Sequence, residues 1–257
     1  MNEEILASVE DGLLRVTVNR PEKRNPLSRA VLARLREVFE AHRDEELSLA
    51  LVTGAGDQSF AAGGDLRDLE QLRAPEEARA LFDLGNGALQ AIRAFQVPVV
   101  AALNGYAIGG GAELALACDA RIAAAHARIG FVQGTLNIPT AWGGGSDLVA
   151  TLGPARALEL LCSARVLQAS EAQAMGLVQA VAAEGEPFAG FVERYLAPWR
   201  KQRPQVMRAF KWQAAAGKLG LPRAQIVPRD RDLFAQAWCH AEHWAAAANI
   251  LNKESAK

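Results

Sequence analysis

The segment from Val97 to Asp119 constrains the fold of this chain more than any other part of the sequence. It begins with an apolar run, Val97–Leu103, passes through three glycines, Gly109–Gly111, and ends in a second apolar run that holds one carboxylate, Glu113. The first run is typical of a buried strand and the second of a buried helix. Because a helix N-terminus directs N–H groups and partial positive charge outward, the turn suits a developing oxyanion. Glu113, about one turn into the helix, lies within reach as a proton carrier.

A second glycine site occurs in Gln58–Asp68, where Gly63 and Gly64 follow Phe60-Ala-Ala. This site comes after the predicted strand Leu49–Thr53, as the triple glycine comes after Val97–Leu103. Two strand ends can therefore present two backbone N–H donors to one carbonyl oxygen, which is the arrangement of an oxyanion hole.

Strands and helices alternate along most of the chain, which predicts an α/β fold with largely parallel strand pairing. Past Pro187 the pattern changes to helices alone, each with a proline near its start. The predicted strands are 12–19, 49–53, 97–103, 121–124 and 129–132, and the predicted helices are 29–42 with Ser28 as its cap, 75–95, one after the triple glycine, 187–203, 204–219 and 222–248.

Composition excludes several classes of partner. The chain has 257 residues, 50% of them hydrophobic, so it can bury a large core. Its net charge is −1, so it lacks the excess of positive charge that binds nucleic acid. No apolar run reaches the roughly 18 residues of a membrane span, and the acidic N-terminus has no signal-peptide pattern. The three cysteines lie far apart, as reduced thiols do. We therefore expect a cytoplasmic protein with neither a membrane nor a nucleic acid as partner.

Four motifs together resemble the crotonase (enoyl-CoA hydratase/isomerase) superfamily, and the resemblance extends over the whole chain. They are Asn19–Pro26, Phe60–Leu66, Asn104–Asp119 and Met175–Val178. The resemblance implies a ββα-spiral core over residues 1–186 and a C-terminal helical trimerisation region over 187–257. It also implies an acyl-CoA thioester as substrate, no cofactor beyond the coenzyme A of that substrate, and a homotrimer or a dimer of trimers.

The resemblance also assigns roles to matching positions. Gly64 and Gly110 would supply the two oxyanion N–H groups, and Glu113 matches the first catalytic carboxylate. Lys23 and Arg24 lie on a loop that meets the CoA phosphates, and Ala62 and Leu66 lie where the family cradles adenine and pantetheine. The remaining predicted substrate-binding residues are Gly63, Asp65, Gln133, Thr140 and Trp142.

The sequence departs from the two-glutamate hydratases at one position. Counting from Glu113, the second carboxylate falls on Gln133, and an amide positions a water without deprotonating it. The following loop, Ile138–Gly145, carries Trp142, either as a pocket wall or as packing alone. Together with Gly109–Glu113 and Phe131-Val132, the Pro139-x-x-Trp142-Gly-Gly pattern of this loop resembles the ethylmalonyl-CoA decarboxylase-like branch.

Three functions follow as alternatives. The first is a lyase that decarboxylates a malonyl-type acyl-CoA, favoured because one carboxylate stands where hydration normally uses two. The second is a 2-enoyl-CoA hydratase/isomerase with Glu113 as its only carboxylate, and the third is a non-catalytic protein that binds CoA esters.

Other polar residues have simpler interpretations. Asp65 is expected to cap the helix that follows it. Asp119 and Arg121 are interpreted as a structural pair. Lys211 is expected either near the CoA phosphates of a neighbouring subunit or on a solvated helix face. Residues Cys239–His243 offer ligand-type side chains without a second cluster, so no metal site is predicted.

Overall fold

The computed structural model describes residues 3–254, with side chains described through Leu251. The first residues of the predicted core and the last residues of the predicted C-terminal region therefore lie outside the described chain. Its strands are β1 Ile5–Glu10, β2 Leu13–Val18, β3 Leu49–Gly54, β4 Ser59–Ala61, β5 Val99–Leu103, β6 Tyr106–Ile108, β7 Ala120–Ala123, β8 Arg128–Gly130, β9 Val166–Gln168 and β10 Ala180–Val181. Its helices are α1 Arg29–Ala41, α2 Leu66–Leu69, α3 Pro75–Arg93, α4 Gly110–Ala117, α5 Gly144–Leu152, α6 Pro154–Ser163, α7 Ala169–Ala174, α8 Phe188–Arg200, α9 Pro204–Lys218, α10 Arg223–Trp238 and α11 Ala241–Glu254.

The strands form two sheets. The larger has the order β1-β2-β3-β5-β7-β10 and the smaller the order β4-β6-β8-β9. Along the chain, β3, β5 and β7 of the first sheet are each followed by a short strand of the second, namely β4, β6 and β8. In the first two cases a helix comes next, α2 after β4 and α4 after β6. Strands β2, β3, β5 and β7 pair in parallel, as do β4, β6 and β8. The predicted α/β class with a ββα repeat is confirmed.

The core follows the hydrophobic pattern of the sequence. Strand β5 is buried along its whole length, and every residue of α4 is buried. Helix α1 buries one face, formed by Val31, Leu32, Leu35, Val38 and Phe39. The Ser28 side chain accepts from the backbone N–H of Val31 at 3.2 Å, so the predicted cap of α1 is confirmed.

The C-terminal region is helical, as expected, within the part of the chain that the structure describes. The predicted helix over 222–248 is wrong in one respect, because it is two helices, α10 and α11, with a break at Cys239 and His240. The predicted strand over 129–132 is also shorter and begins earlier, at Arg128.

A salt bridge joins the C-terminal helices to the core. The Nζ atom of Lys211 on α9 lies 2.6 Å from a carboxylate oxygen of Asp119, and the Lys211 side chain is buried. Lys211 therefore does not lie on a solvated face. Asp119 does not pair with Arg121, which donates instead to the carbonyls of Cys118 and Leu177. The same Asp119 carboxylate accepts from the backbone N–H of Val99 at 2.7 Å, which ties α9 to the start of β5.

Candidate active site

The two glycine turns lie against each other, since a Cβ built on Gly109 would be 3.9 Å from the Cα of Gly63. Gly63 and Gly109 have φ angles of +96° and +57°, which favour glycine. The turns meet because β4 and β6, which lead into them, are parallel neighbours in the smaller sheet. The two predicted N–H donors, on Gly64 and Gly110, are therefore brought to one place.

Both of these N–H groups are free to bind a ligand. Leu27 accepts from Asp65 and donates to Gly63, which leaves the N–H of Gly64 between them without an acceptor. Gly110 begins α4, so its N–H has no intrahelical partner. Within the described chain neither N–H donates to a protein acceptor. Two unpaired N–H groups at adjoining turns have the arrangement that an oxyanion requires.

The Glu113 carboxylate is buried, with 2% of the residue exposed, and it accepts four hydrogen bonds. Its Oε1 atom accepts from the Gln133 side-chain amide at 2.8 Å and from the Ala141 N–H at 3.3 Å. Its Oε2 atom accepts from the N–H groups of Trp142 and Gly144 at 2.8 and 2.9 Å. An ionised carboxylate has about four lone-pair sites, so all of them are occupied.

Gln133 lies beside Glu113, where the sequence count places it, at the start of a short 3-10 turn over Gln133–Leu136. Its amide nitrogen donates to Glu113, so its Oε1 atom is left as a buried acceptor with no protein partner. A buried polar atom without a partner is costly and indicates a site for a water or a substrate donor.

Trp142 lies across the oxyanion turns and is 5% exposed. A Cβ on Gly110 would lie 2.9 Å from Cη2 of the indole, and a Cβ on Gly64 would lie 3.9 Å from the same atom. The other end of the ring lies on Gly85 of α3, where a Cβ would fall within 3.0 Å of Nε1. Trp142 is therefore in contact with the site itself.

Two of the four residues predicted to meet coenzyme A line a cleft of about 720 Å³. Arg24 and Ala62 line it, whereas Lys23 lies in the exposed turn Pro21–Lys23 beside it. Leu66 begins α2 and is 60% exposed. The other lining residues are Asp57, Gln58, Ser59, Tyr106, Ile108 and His126.

Two predicted site residues have structural partners. The Asp65 carboxylate pairs with Arg20 at 2.8 Å and makes no side-chain cap to α2, so the predicted cap is wrong. The Thr140 hydroxyl packs on Gly145, where a Cβ would lie 2.5 Å from Oγ1. Their assignment as substrate-binding residues stays a prediction.

Helix α2, which follows the Gly64 turn, is held to the start of α1. The Asp68 carboxylate accepts hydrogen bonds from the guanidinium and from the backbone N–H of Arg29. These hydrogen bonds, the guanidinium one most of all, lower the pKa of Asp68. Asp68 therefore keeps its charge at neutral pH and holds the turn that presents the Gly64 N–H.

The sequence interpretation missed Arg93, whose guanidinium donates to the Trp142 carbonyl at 2.7 Å and pairs with Asp147 at 2.9 Å. It also missed Gly85 and Gly144, which meet Trp142 and Glu113. A glycine inside a helical pattern, as at Gly85, is the signal that marks a close approach.

Comparison with known proteins identifies the family to which this chain belongs. The model of the enoyl-CoA hydratase/isomerase family matches residues 8–252. The chain belongs to this family. It is a crotonase-superfamily enzyme, and the predicted superfamily is confirmed.

Individual relatives differ in the reaction for which they are named. The chain is 39% identical over 180 residues to a crotonyl-CoA hydratase from Syntrophomonas wolfei, covering 70% of this chain and 69% of that protein. It is 30% identical over 238 residues to an ethylmalonyl-CoA decarboxylase from Pongo abelii, covering 91% and 78%. A crystal structure of an enoyl-CoA hydratase/carnithine racemase from Magnetospirillum magneticum superposes with a TM-score of 0.90 at 27% identity, covering 98% and 94%.

The described residues hold neither a membrane-spanning helix nor a cluster of metal ligands. No helix within 3–254 is both long enough and apolar enough to cross a bilayer. Across the same residues, His, Cys, Asp and Glu side chains form no group of three or more placed to hold a metal ion. The ring of His243 packs instead against Trp238 and Trp244.

Proposed function

We propose that this protein is an acyl-CoA carboxy-lyase that removes CO₂ from a malonyl-type thioester. The observation that carries the proposal is the partner of the Glu113 carboxylate, which is the Gln133 amide at 2.8 Å and not a second carboxylate. Hydration needs one group to deprotonate water and a proton source for the α-carbon, whereas these two side chains offer a single carboxylate. Decarboxylation needs no base, because the departing carboxylate leaves its own electron pair.

The reaction needs no reactant besides the thioester and a proton from solvent. The bond between the α-carbon and the substrate carboxylate breaks, CO₂ leaves, and the electron pair moves into the thioester as an enolate. The free N–H groups of Gly64 and Gly110 hold the enolate oxygen, and removal of one such donor typically costs about 3–4 kcal/mol of transition-state stabilisation. A proton from solvent then adds to the α-carbon and gives the saturated acyl-CoA.

In this proposal Glu113 relays that proton: its Oε1 atom takes a proton from solvent and passes it to the α-carbon. Its hydrogen bond from the Ala141 N–H is the longest of the four, at 3.3 Å, so it is the one that yields most readily. The unpaired Oε1 of Gln133 lies in the same site and accepts from a water that brings the proton.

The cleft lined by Arg24 and Ala62 is proposed to hold coenzyme A, with the exposed Arg24 and Lys23 side chains toward its phosphates. Phosphate binding by exposed guanidinium and ammonium groups suits this assignment. Of the three free thiols, Cys162 and Cys239 are exposed, which favours a reducing compartment, and we propose the cytoplasm.

Hydration of a 2-enoyl-CoA is the second candidate. It is favoured by the 39% identity to a crotonyl-CoA hydratase and by the free Gln133 oxygen, which can hold a water. Glu113 would again have to give up one of its N–H donors, and it would then have to deprotonate the water and also return a proton to the α-carbon.

One substrate panel separates the candidates. The enzyme is incubated with ethylmalonyl-CoA, methylmalonyl-CoA and crotonyl-CoA, and the acyl-CoA mass is followed. We expect loss of CO₂ from a malonyl-type ester, with one deuteron added at the α-carbon in D₂O. Rapid gain of water by crotonyl-CoA, with both malonyl-type esters unchanged, would refute decarboxylation.

A further inference from the structure

The indole of Trp142 rests on glycines from three separate elements. A Cβ on Gly85 of α3 or on Gly110 of α4 would lie within 3.0 Å of the ring, a distance that real Cβ atoms essentially never show. The Gly64 Cβ position, in the loop after β4, is 3.9 Å from Cη2. The ring therefore extends from α3 to both oxyanion donors, and its benzo edge is the part that lies at the donors.

The backbone of Trp142 is fixed on both sides. Its N–H donates to Glu113, and its carbonyl accepts from Arg93 at 2.7 Å. Arg93 is itself paired with Asp147, and a Cβ on Gly143 would lie 2.8 Å from the Arg93 Nη2 atom. The indole is thus a rigid wall rather than a mobile side chain.

We infer that Trp142 determines acyl-group specificity by limiting the site to short acyl groups, an inference that rests on the proposed CoA-thioester function. An acyl carbonyl that reaches the N–H groups of both Gly64 and Gly110 must place its α-carbon beside the benzo edge of Trp142. The space in which a longer chain would continue toward α3 is filled by the rest of the ring. A short, compact acyl group fits in front of this wall, and a long chain collides with it.

The test uses binding of saturated acyl-CoA esters, so it needs no turnover. Affinities for butyryl-CoA and octanoyl-CoA are measured by calorimetry on the wild type, Trp142→Ala and Trp142→Phe, with Trp199→Phe on α8 as the matched control. Hydrophobic pockets discriminate by about 10-fold or more for small changes in chain size. We expect the wild type to prefer butyryl-CoA by at least about 10-fold, and Trp142→Ala to abolish or reverse that preference.

Trp142→Phe is expected to keep most of the preference, because it retains a ring, and Trp199→Phe all of it. Circular dichroism confirms folding, and the Phe variant tests the inference if the Ala variant does not fold, since its shorter ring should still relax the preference measurably. If wild type binds both esters equally, or the ratio is the same in every Trp142 variant, the inference is wrong while the proposed function stands. If wild type binds neither ester, the proposed CoA-thioester function fails, and the inference fails with it.

Discussion

At the scale of single residues, Glu113 is the proposed proton carrier and also the acceptor of four hydrogen bonds. Three of its donors are backbone N–H groups of the loop that leads into α5, on Ala141, Trp142 and Gly144. The carboxylate thereby caps the N-terminus of α5, as a negative group stabilises a helix start. The position of Glu113 beside the oxyanion turn could be predicted from the sequence. Its backbone partners could not, because they lie 28 to 31 residues further along and only the fold brings them back.

Glu113→Gln should therefore cost stability as well as turnover. Glutamine has one acceptor oxygen, so its NH₂ group faces two N–H donors that lose their acceptor, at about 1–3 kcal/mol each. Loss of the proton carrier should lower kcat by about 10²–10⁴-fold. Thermal unfolding and kinetics on the best substrate measure both effects, with the exposed Glu37→Gln on α1 as control. An unchanged melting temperature for Glu113→Gln would contradict the capping role.

Gln133→Glu should convert the amide–carboxylate contact into a pair of carboxyl groups. The Gln133 nitrogen lies 2.8 Å from Glu113, so the two acids cannot both ionise and the pKa of one is raised. A carboxyl group whose pKa is higher in the folded state than in the unfolded state stabilises the fold fully below its unfolded-state pKa. That stabilisation is lost as the pH rises through the folded-state pKa. The variant should therefore be destabilised more at about pH 9 than at about pH 5, which brackets carboxyl pKa values raised from their usual 4.

The same variant should lose decarboxylation and gain hydration of crotonyl-CoA, since a second acid becomes available to water while the substrate carboxylate is repelled. Both rates are measured on wild type and variant across the same pH range. Fast wild-type hydration that the variant does not improve would instead make Gln133 a tolerated substitution in a single-glutamate hydratase.

At the scale of elements, the long helices and the fully buried strands could be predicted, because hydrophobic periodicity and caps mark them in the sequence. The short strands β4, β6 and β9 could not, since three residues carry no period, and their pairing depends on the neighbouring strand. The break between α10 and α11 was also missed, because neither glycine nor proline marks it at Cys239 and His240.

Helix α3 provides a matched pair of glycines. A Cβ on Gly85 would collide with the Trp142 indole, whereas one on Gly87 would lie 3.4 Å from the flexible end of Arg36. Gly87→Ala should be neutral or stabilising by up to about 1 kcal/mol through helix propensity. Gly85→Ala should lower the melting temperature despite the same gain, because the ring must move. In a Trp142→Ala background, Gly85→Ala should cost less than in the wild type, and an equal cost in both backgrounds would place the clash elsewhere.

At the scale of the whole molecule, the C-terminal helices expose a set of large apolar side chains. Phe210, Phe234, Trp238 and Trp244 are each 46 to 64% exposed. Trp212, on the same helix as Phe210, is partly buried and lines a cavity against the core. An apolar surface of this kind is typical of a contact between protein copies.

We therefore expect a trimer or a dimer of trimers. Light scattering coupled to size exclusion should give a trimeric or hexameric mass at micromolar concentration. Phe234→Asp should reduce the mass toward that of one chain, and Lys201→Asp, on the exposed turn between α8 and α9, should leave it unchanged. A monomeric wild type would show that the exposed aromatics serve another purpose.

The buried Cys118 at the end of α4 makes the free energy of unfolding depend on pH in the alkaline range. Burial, together with the nearby Asp119, raises the pKa of Cys118 from 9.0 to about 12. Because the folded-state pKa is the higher one, this stabilisation is complete below pH 9.0 and is lost as pH rises toward 12, at about 1.4 kcal/mol per pH unit. Cys118→Ala should flatten the fall in unfolding free energy over this range. The exposed Cys162→Ala should follow wild type, and identical slopes in all three proteins would contradict the assignment.

The salt bridge between Lys211 and Asp119 has a consequence for how such chains diverge. The two residues are 92 positions apart, and the Lys211 side chain is 6% exposed while that of Asp119 is 24% exposed. A change at Asp119 alone would leave the Lys211 ammonium without its partner, at a cost below the roughly 3–5 kcal/mol typical of a fully buried pair, because Asp119 is partly exposed. Descendants of this sequence can therefore exchange these two positions together, for an apolar pair or a reversed one, but a single step through either intermediate is selected against.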